Sequence, residues 1–109
     1  MSPQRQQLCQ QLLQLEQALR QLGLWSSQAP ESGAMASEAP FCADTLAFEQ
    51  WLQWMFLPRM QQMLEQDHPL PERCGLLPMG EQGLLHLGRR RVELLHLLEQ
   101  IDHLVQSAQ

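Results

Sequence analysis

Leu8, Leu12, Leu15, Leu19 and Leu22 follow one another in steps of four, three, four and three. That spacing puts all five on one stripe of an α-helix. Leu13 and Ala18 widen the stripe, and Gln4, Gln7, Gln10, Gln14, Glu16, Gln17 and Gln21 cover the remaining surface. Pro3 suits a first helical turn and Gly23 a residue just past a helix end, so the spacing predicts a helix from Pro3 to about Leu22. The far end repeats the pattern. Leu94, Leu98, Ile101 and Val105 form a second stripe with Leu97 and Leu104 beside it, predicting a helix from about Arg89 to Ser107. Glu93, His96, Gln100 and His103 fall on its wet side. A chain whose two ends are apolar stripes of this kind must bury them within the fold.

Composition removes the sheet. Val92 and Val105 are the only valines, Ile101 is the only isoleucine, and tyrosine is absent. Leu, Met, Gln, Glu and Ala favour helices, whereas strands favour β-branched and aromatic residues. At 109 residues the chain is one domain, read as 1–109.

Between the two stripes lie a loop, a helix and a second loop. Trp25 to about Cys42 carries Ser26, Ser27, Pro30, Ser32, Gly33, Ser37 and Pro40 and reads as a long loop whose ends Leu24, Trp25 and Phe41 anchor on the core. Asp44 and Thr45 are N-cap candidates for a helix over Leu46 to about Gln66. Within it, Trp51-Leu52-Gln53-Trp54-Met55-Phe56-Leu57 is apolar nearly all round, which makes this helix central or partner-facing. Pro58 predicts a kink near Trp54. Asp67–Pro78 reads as a loop. A short helix from Pro78 to about Leu87 is weakened by Gly80, Gly83 and Gly88. The expected architecture is an all-α compact bundle of about four helices, with a long loop between the first two and a proline-kinked central helix. The hub of that bundle is expected at Leu46–Gln66.

Charge and motifs narrow the function. A net charge of −5 disfavours broad binding to nucleic acid or anionic membranes. No apolar run reaches the ~18–20 residues of a membrane span, and Met1 to Gln6 leads into an amphipathic segment rather than a signal-peptide core. Cys9, Cys42 and Cys74 form no CxxC pair, so neither a disulfide framework nor a zinc site is indicated, and a reducing cytoplasm is the simplest compartment. Glu93-x-x-His96 has the spacing of a di-iron bundle ligand pair, but such a site needs two of these motifs and two further carboxylates. Glu99 and His103 make two ligands where structural zinc takes about four. His68 and His86 read as surface groups. No metal, cofactor or catalytic residue is assigned, and no enzyme is expected.

Three features remain open. Arg89-Arg90-Arg91 is the single basic cluster, either a solvated face eased by Glu81 and Glu93 or a contact for phosphate or an acidic partner. Trp51 reads as core; Trp51, Leu52 and Trp54 cannot all point the same way, so Trp54 and Leu57 are candidate partner-surface residues along with the three arginines. Arg59 and Asp102 border apolar stripes and are a candidate buried polar pair fixing helix register, or part of a small-ligand site beside Trp51.

Pro40-Phe41, Asp44-Thr45, Trp51-Leu52-Gln53-Trp54, Pro58-Arg59-Met60 and Leu70-Pro71, followed by a leucine-rich helix with Asp102, resemble the YqcC-like family of small bacterial proteins. The resemblance covers nearly the whole chain, and 40–60 is its specific part. It implies about four helices. Members often lie beside, and sometimes carry the name of, a tRNA pseudouridine synthase (tRNA pseudouridine synthase C). Where the family tends to have Pro-Tyr, this chain has Pro78-Met79, so any role of that hydroxyl is absent. Pseudouridine synthases themselves resemble one another in a large mixed α/β domain with a catalytic aspartate in an Arg-Leu-Asp type motif. Asp44, Asp67 and Asp102 lie in no such motif. The chain is therefore expected to be a non-enzymatic interaction or accessory protein. Its partner is a protein or a second copy, or by resemblance tRNA or a tRNA-modifying enzyme; a small-ligand-binding bundle is the remaining alternative.

Overall fold

The computed structural model describes residues 3–71 and 74–107; the part of the Asp67–Pro78 loop at Glu72 and Arg73 lies outside them. All regular structure among the described residues is helical. Helix α1 spans Pro3–Gln21 and the one-turn α2 Ser32–Met35. A central helix over 48–65 follows, made of α3 (Phe48–Trp51), a π segment (Leu52–Phe56) and α4 (Leu57–Glu65). Helix α5 spans Leu76–Gly83, and α6 spans Arg91–Ser107. Short 3₁₀ turns occupy Pro40–Cys42 and Leu85–Arg90.

The two stripes read from the sequence are buried. Leu8, Leu12, Leu15 and Leu19 of α1 and Leu94, Leu98, Ile101 and Val105 of α6 are all at most 1% exposed. Leu13 does not join them, because it lies on the opposite side of α1 and is 56% exposed. The terminal helices make the most extensive pairing in the molecule, with each other. The expected hub at Leu46–Gln66 is thus corrected. Two complementary leucine stripes of similar length bury each other directly, and the central helix packs on α1 through α4 and on α5 through α3, burying Leu52, Phe56, Leu57, Met60 and Leu64.

Helix ends are set by backbone geometry as the sequence foretold in one case and not in another. Gly23 takes φ 73°, the Leu24 N–H reaches Leu19 O at 2.9 Å, and the Gly23 N–H reaches Arg20 O at 3.1 Å. This is a Schellman ending. The central helix ends in the same way at Asp67 (φ 55°), with His68 N–H on Met63 O at 2.8 Å. Its start differs from expectation. Asp44 and Thr45 do not cap it; Ala47 precedes the first turn, and its N–H donates to Gln50 Oε1 at 2.9 Å. Asp44 instead accepts from the Ser37 hydroxyl, and Thr45 Oγ1 donates to Ala34 O at 2.6 Å. Side chains that suit caps also suit loop bracing, and here they hold the 24–42 segment.

That segment is more ordered than a loop reading implies. Phe41 and Cys42 sit at φ 57° and 50°, unusual for residues with a Cβ. The turn sends the Phe41 ring onto Trp51 at 4.8 Å, edge to face, beside Phe48 and Phe56. At the other end, Gln53 is the buried polar residue among those described, at 5% exposure. Its amide accepts from Ser26 N–H at 2.8 Å and donates to Ser26 O at 2.7 Å, satisfying both of its polar atoms. Gln53 lies in the π segment. Pro58 lacks the N–H that an α-helical bond to Trp54 would need, and the chain meets this with a π turn, Leu57 N–H bonding Leu52 O.

The glycines of α5 have a packing reason. A Cβ on Gly83 would lie 2.7 Å from Phe48 Cβ, and one on Gly80 2.6 Å from Leu98 Cδ1. Leu98 can swing its methyl away, whereas Phe48 Cβ moves only with its backbone. Gly83→Ala gains about 1 kcal/mol of helix propensity but overpacks a site where such changes lose about 1–3 kcal/mol. A net loss of up to about 2 kcal/mol in urea unfolding is expected. A more stable variant would contradict the packing.

Candidate functional site

Three surfaces hold the side chains singled out in the sequence. The first is the end of the molecule where α1 finishes and α6 begins. Arg90 donates to Leu22 O at 2.6 Å, tying the segment before α6 to the end of α1. Arg20 pairs with Glu16 at 3.3 Å and lies 4.4 Å above the Trp25 ring. Arg89 is exposed and Arg91 half-buried. Four arginines of a chain with net charge −5 therefore gather at one end. Leu85 and Val92, in the same stretch, are 62% and 65% exposed.

The second surface lies over the π segment. Trp54 is half-buried and lines a recess of about 420 Å³ with Trp25, Gln53, Leu57, Pro58 and Gln61. Leu57, expected as a partner-surface residue, is 2% exposed. It follows the π turn and belongs to the core. The structure brings Trp54 near Trp25.

The third surface was not legible in the sequence. A groove of about 710 Å³ runs between α1 and the second half of α6, closed at one side by Cys74, Gly75 and Pro78. Gln7 and Gln11 line it from α1, and His96, Glu99, Gln100, Asp102 and His103 from α6. His96 and Gln100 meet at 3.1 Å. Among the described residues no three metal-ligating side chains converge, there or elsewhere. The periodicity assigns His96, Gln100 and His103 to the wet face of α6, which they occupy. That α1 and the start of α5 with Cys74 and Gly75 wall the face into a groove is a tertiary fact without a local signal.

Asp102 has a definite task in this groove. Its two carboxylate oxygens accept the N–H groups of Leu76 and Leu77, both at 2.9 Å. It caps α5 from another helix, in the place an N-cap side chain would take. The expected buried pair with Arg59 is corrected accordingly: Asp102 has spent both oxygens on backbone donors, and Arg59 lies exposed on α4. The small-ligand space expected beside Trp51 is filled by Phe41, Phe48 and Phe56.

Cys74 lies next to this carboxylate. Burial, and secondly the charge of Asp102, push its thiol up from 9.0 to about 12. At pH 8 its thiolate population is then about 10³-fold below that of an unshifted thiol, so Cys74 is expected to resist iodoacetamide. Mass spectrometry after timed alkylation checks this. Labelling of Cys74 as fast as a denatured control would contradict the geometry. None of Cys9, Cys42 and Cys74 is in a disulfide.

These features define a small all-helical protein with a walled polar groove and one arginine-rich end, and no helix among the described residues is long and apolar enough to cross a membrane. The model of the DUF446 family, described as tRNA pseudouridine synthase C, matches residues 7–104. The chain belongs to that family. A solution NMR structure of protein YqcC from E. coli superposes with a TM-score of 0.83 at 31% identity, over 96% of this chain and 90% of that one. In sequence, YqcC of Escherichia coli K12, described as an uncharacterized protein, is 35% identical over 94 residues, 86% of each chain. A protein named tRNA pseudouridine synthase C, from Pectobacterium carotovorum subsp. carotovorum, is 43% identical over 87 residues. That match takes in 77% of this chain but 23% of the Pectobacterium protein, so the chain spans under a quarter of that relative.

Proposed function

We propose that this chain is a non-enzymatic accessory protein that binds a tRNA pseudouridine synthase. The observation that carries the reading is the size of the Pectobacterium relative. A segment like this chain forms 23% of a polypeptide that bears the synthase name, and more than three quarters of that polypeptide lies outside the match. Two units joined in one chain meet at high effective concentration. Where the smaller one is a separate chain, a docking surface does the same work.

The aspartates support the same division of labour. Asp44 is engaged by Ser37, Asp67 sits in a left-handed turn beside Arg5, and Asp102 caps α5. Each already has a structural task, and Asp102, the one of the three that lines the groove, has both carboxylate oxygens on backbone donors. The accessory acts where the synthase meets tRNA, in the cytoplasm, and thiols outside any disulfide suit that compartment. Size-exclusion chromatography of the purified chain mixed with the tRNA pseudouridine synthase C of the same organism tests the reading. A shared peak of fixed stoichiometry is expected, and separate elution at micromolar concentration would reject it.

A further inference from the structure

Resting on the accessory reading, we propose that the exposed stretch 85–92 is the docking surface, and that it takes an acidic protein patch with an apolar centre. Two observations coincide there. Leu13, Leu85 and Val92 are the strongly exposed large aliphatics among the described residues, and two of the three lie within this stretch. The same stretch holds Arg89 and Arg91, which have no ion pair among the described residues, in a chain that is otherwise acidic. Aliphatic groups beside guanidinium groups are the composition of a protein interface, where arginine pairs with carboxylates in a fixed fork and the apolar centre excludes water.

Charge counting decides against RNA as the occupant. Of the four arginines at this end, Arg20 is taken by Glu16 and Trp25, and Arg90 by the Leu22 carbonyl. Arg89 and Arg91 remain, with exposed Glu93 one turn further on. Two phosphate contacts give weak, strongly salt-dependent binding, and Leu85 and Val92 would gain nothing from a phosphate backbone.

The test measures the affinity of a fluorescently labelled chain for the purified tRNA pseudouridine synthase C of the same organism, and separately for tRNA. Compared with the wild type are Arg89→Glu, Val92→Asp and, as a control at an exposed aliphatic elsewhere, Leu13→Asp. All three positions are solvent-facing, and unchanged circular dichroism melting confirms that each variant is folded. Arg89→Glu and Val92→Asp are each expected to weaken synthase binding at least 10-fold, and together at least 100-fold, while Leu13→Asp changes it less than 2-fold. If the wild type binds and the two variants bind equally well, the location is wrong and the accessory reading stands. If the wild type does not bind the synthase, both fall. If the variants lose tRNA binding and keep the synthase, the surface is an RNA contact and the proposal is overturned.

Discussion

Replacing Leu98 with alanine is expected to destabilise the chain by about 3–5 kcal/mol, the range of leucine truncations in closely packed cores. Leu98 is 0% exposed. It sits where α6 meets α5, with its Cδ1 directed at the bare α-carbon of Gly80. The absence of a side chain on Gly80 lets the two helices approach closely, so α5 has little freedom to collapse into the space a truncation leaves. A cavity persists, and its lining loses dispersion contacts as well as the transfer energy of the lost methyls. For a domain of this size the loss corresponds to a fall in Tm on the order of 15 °C. Differential scanning calorimetry measures it. A fall of under about 3 °C would mean that α5 does not lie against α6 as described.

The second large effect is expected at Asp102. Asp102→Ala leaves the Leu76 and Leu77 N–H groups without their acceptors in a half-buried setting, a loss of about 2–4 kcal/mol. Asp102→Asn keeps one acceptor oxygen and turns its NH2 toward the other donor, so about half of that loss is expected. Global unfolding alone cannot assign the effect, but amide exchange can. In Asp102→Ala the Leu76 and Leu77 amides should exchange much faster than those in the middle of α6. Unchanged protection at these two amides would contradict the cap.

Asp102 also shows where sequence reading stops. The leucine stripes at the two ends were legible because burial in a helix pair leaves a period of 3.6, and the Schellman glycine at Gly23 was legible because its φ requirement is local. The start of α5 was not. Its N-terminal donors are satisfied by a carboxylate 26 residues downstream of Leu76, so no capping residue precedes it in the sequence. Pro78 looked like the first helical residue and is in fact the third. Gly80 and Gly83 argued against a helix on propensity, whereas they are what allows α5 to seat against Leu98 and Phe48. In each case a tertiary neighbour overrode a local preference.

The candidate surfaces divide along the same line. Arg89-Arg90-Arg91 is identifiable as a basic cluster because the three are consecutive, though of them Arg91 is half-buried. Leu57 was misplaced because a π turn shifts the residues after it around the helix, and neither Pro58 nor the apolar run declares that shift. The α1–α6 groove joins Gln7 and Gln11 to His96 and Gln100. These residues lie too far apart in the chain to show any shared pattern.

The most direct test of the account is a count of pseudouridine in tRNA incubated with this chain alone, with the tRNA pseudouridine synthase C of the same organism alone, and with both. No pseudouridine is expected from the chain by itself, and the kcat/KM of the synthase is expected to change when the chain is added. Pseudouridine formed by the purified chain without the synthase would contradict it.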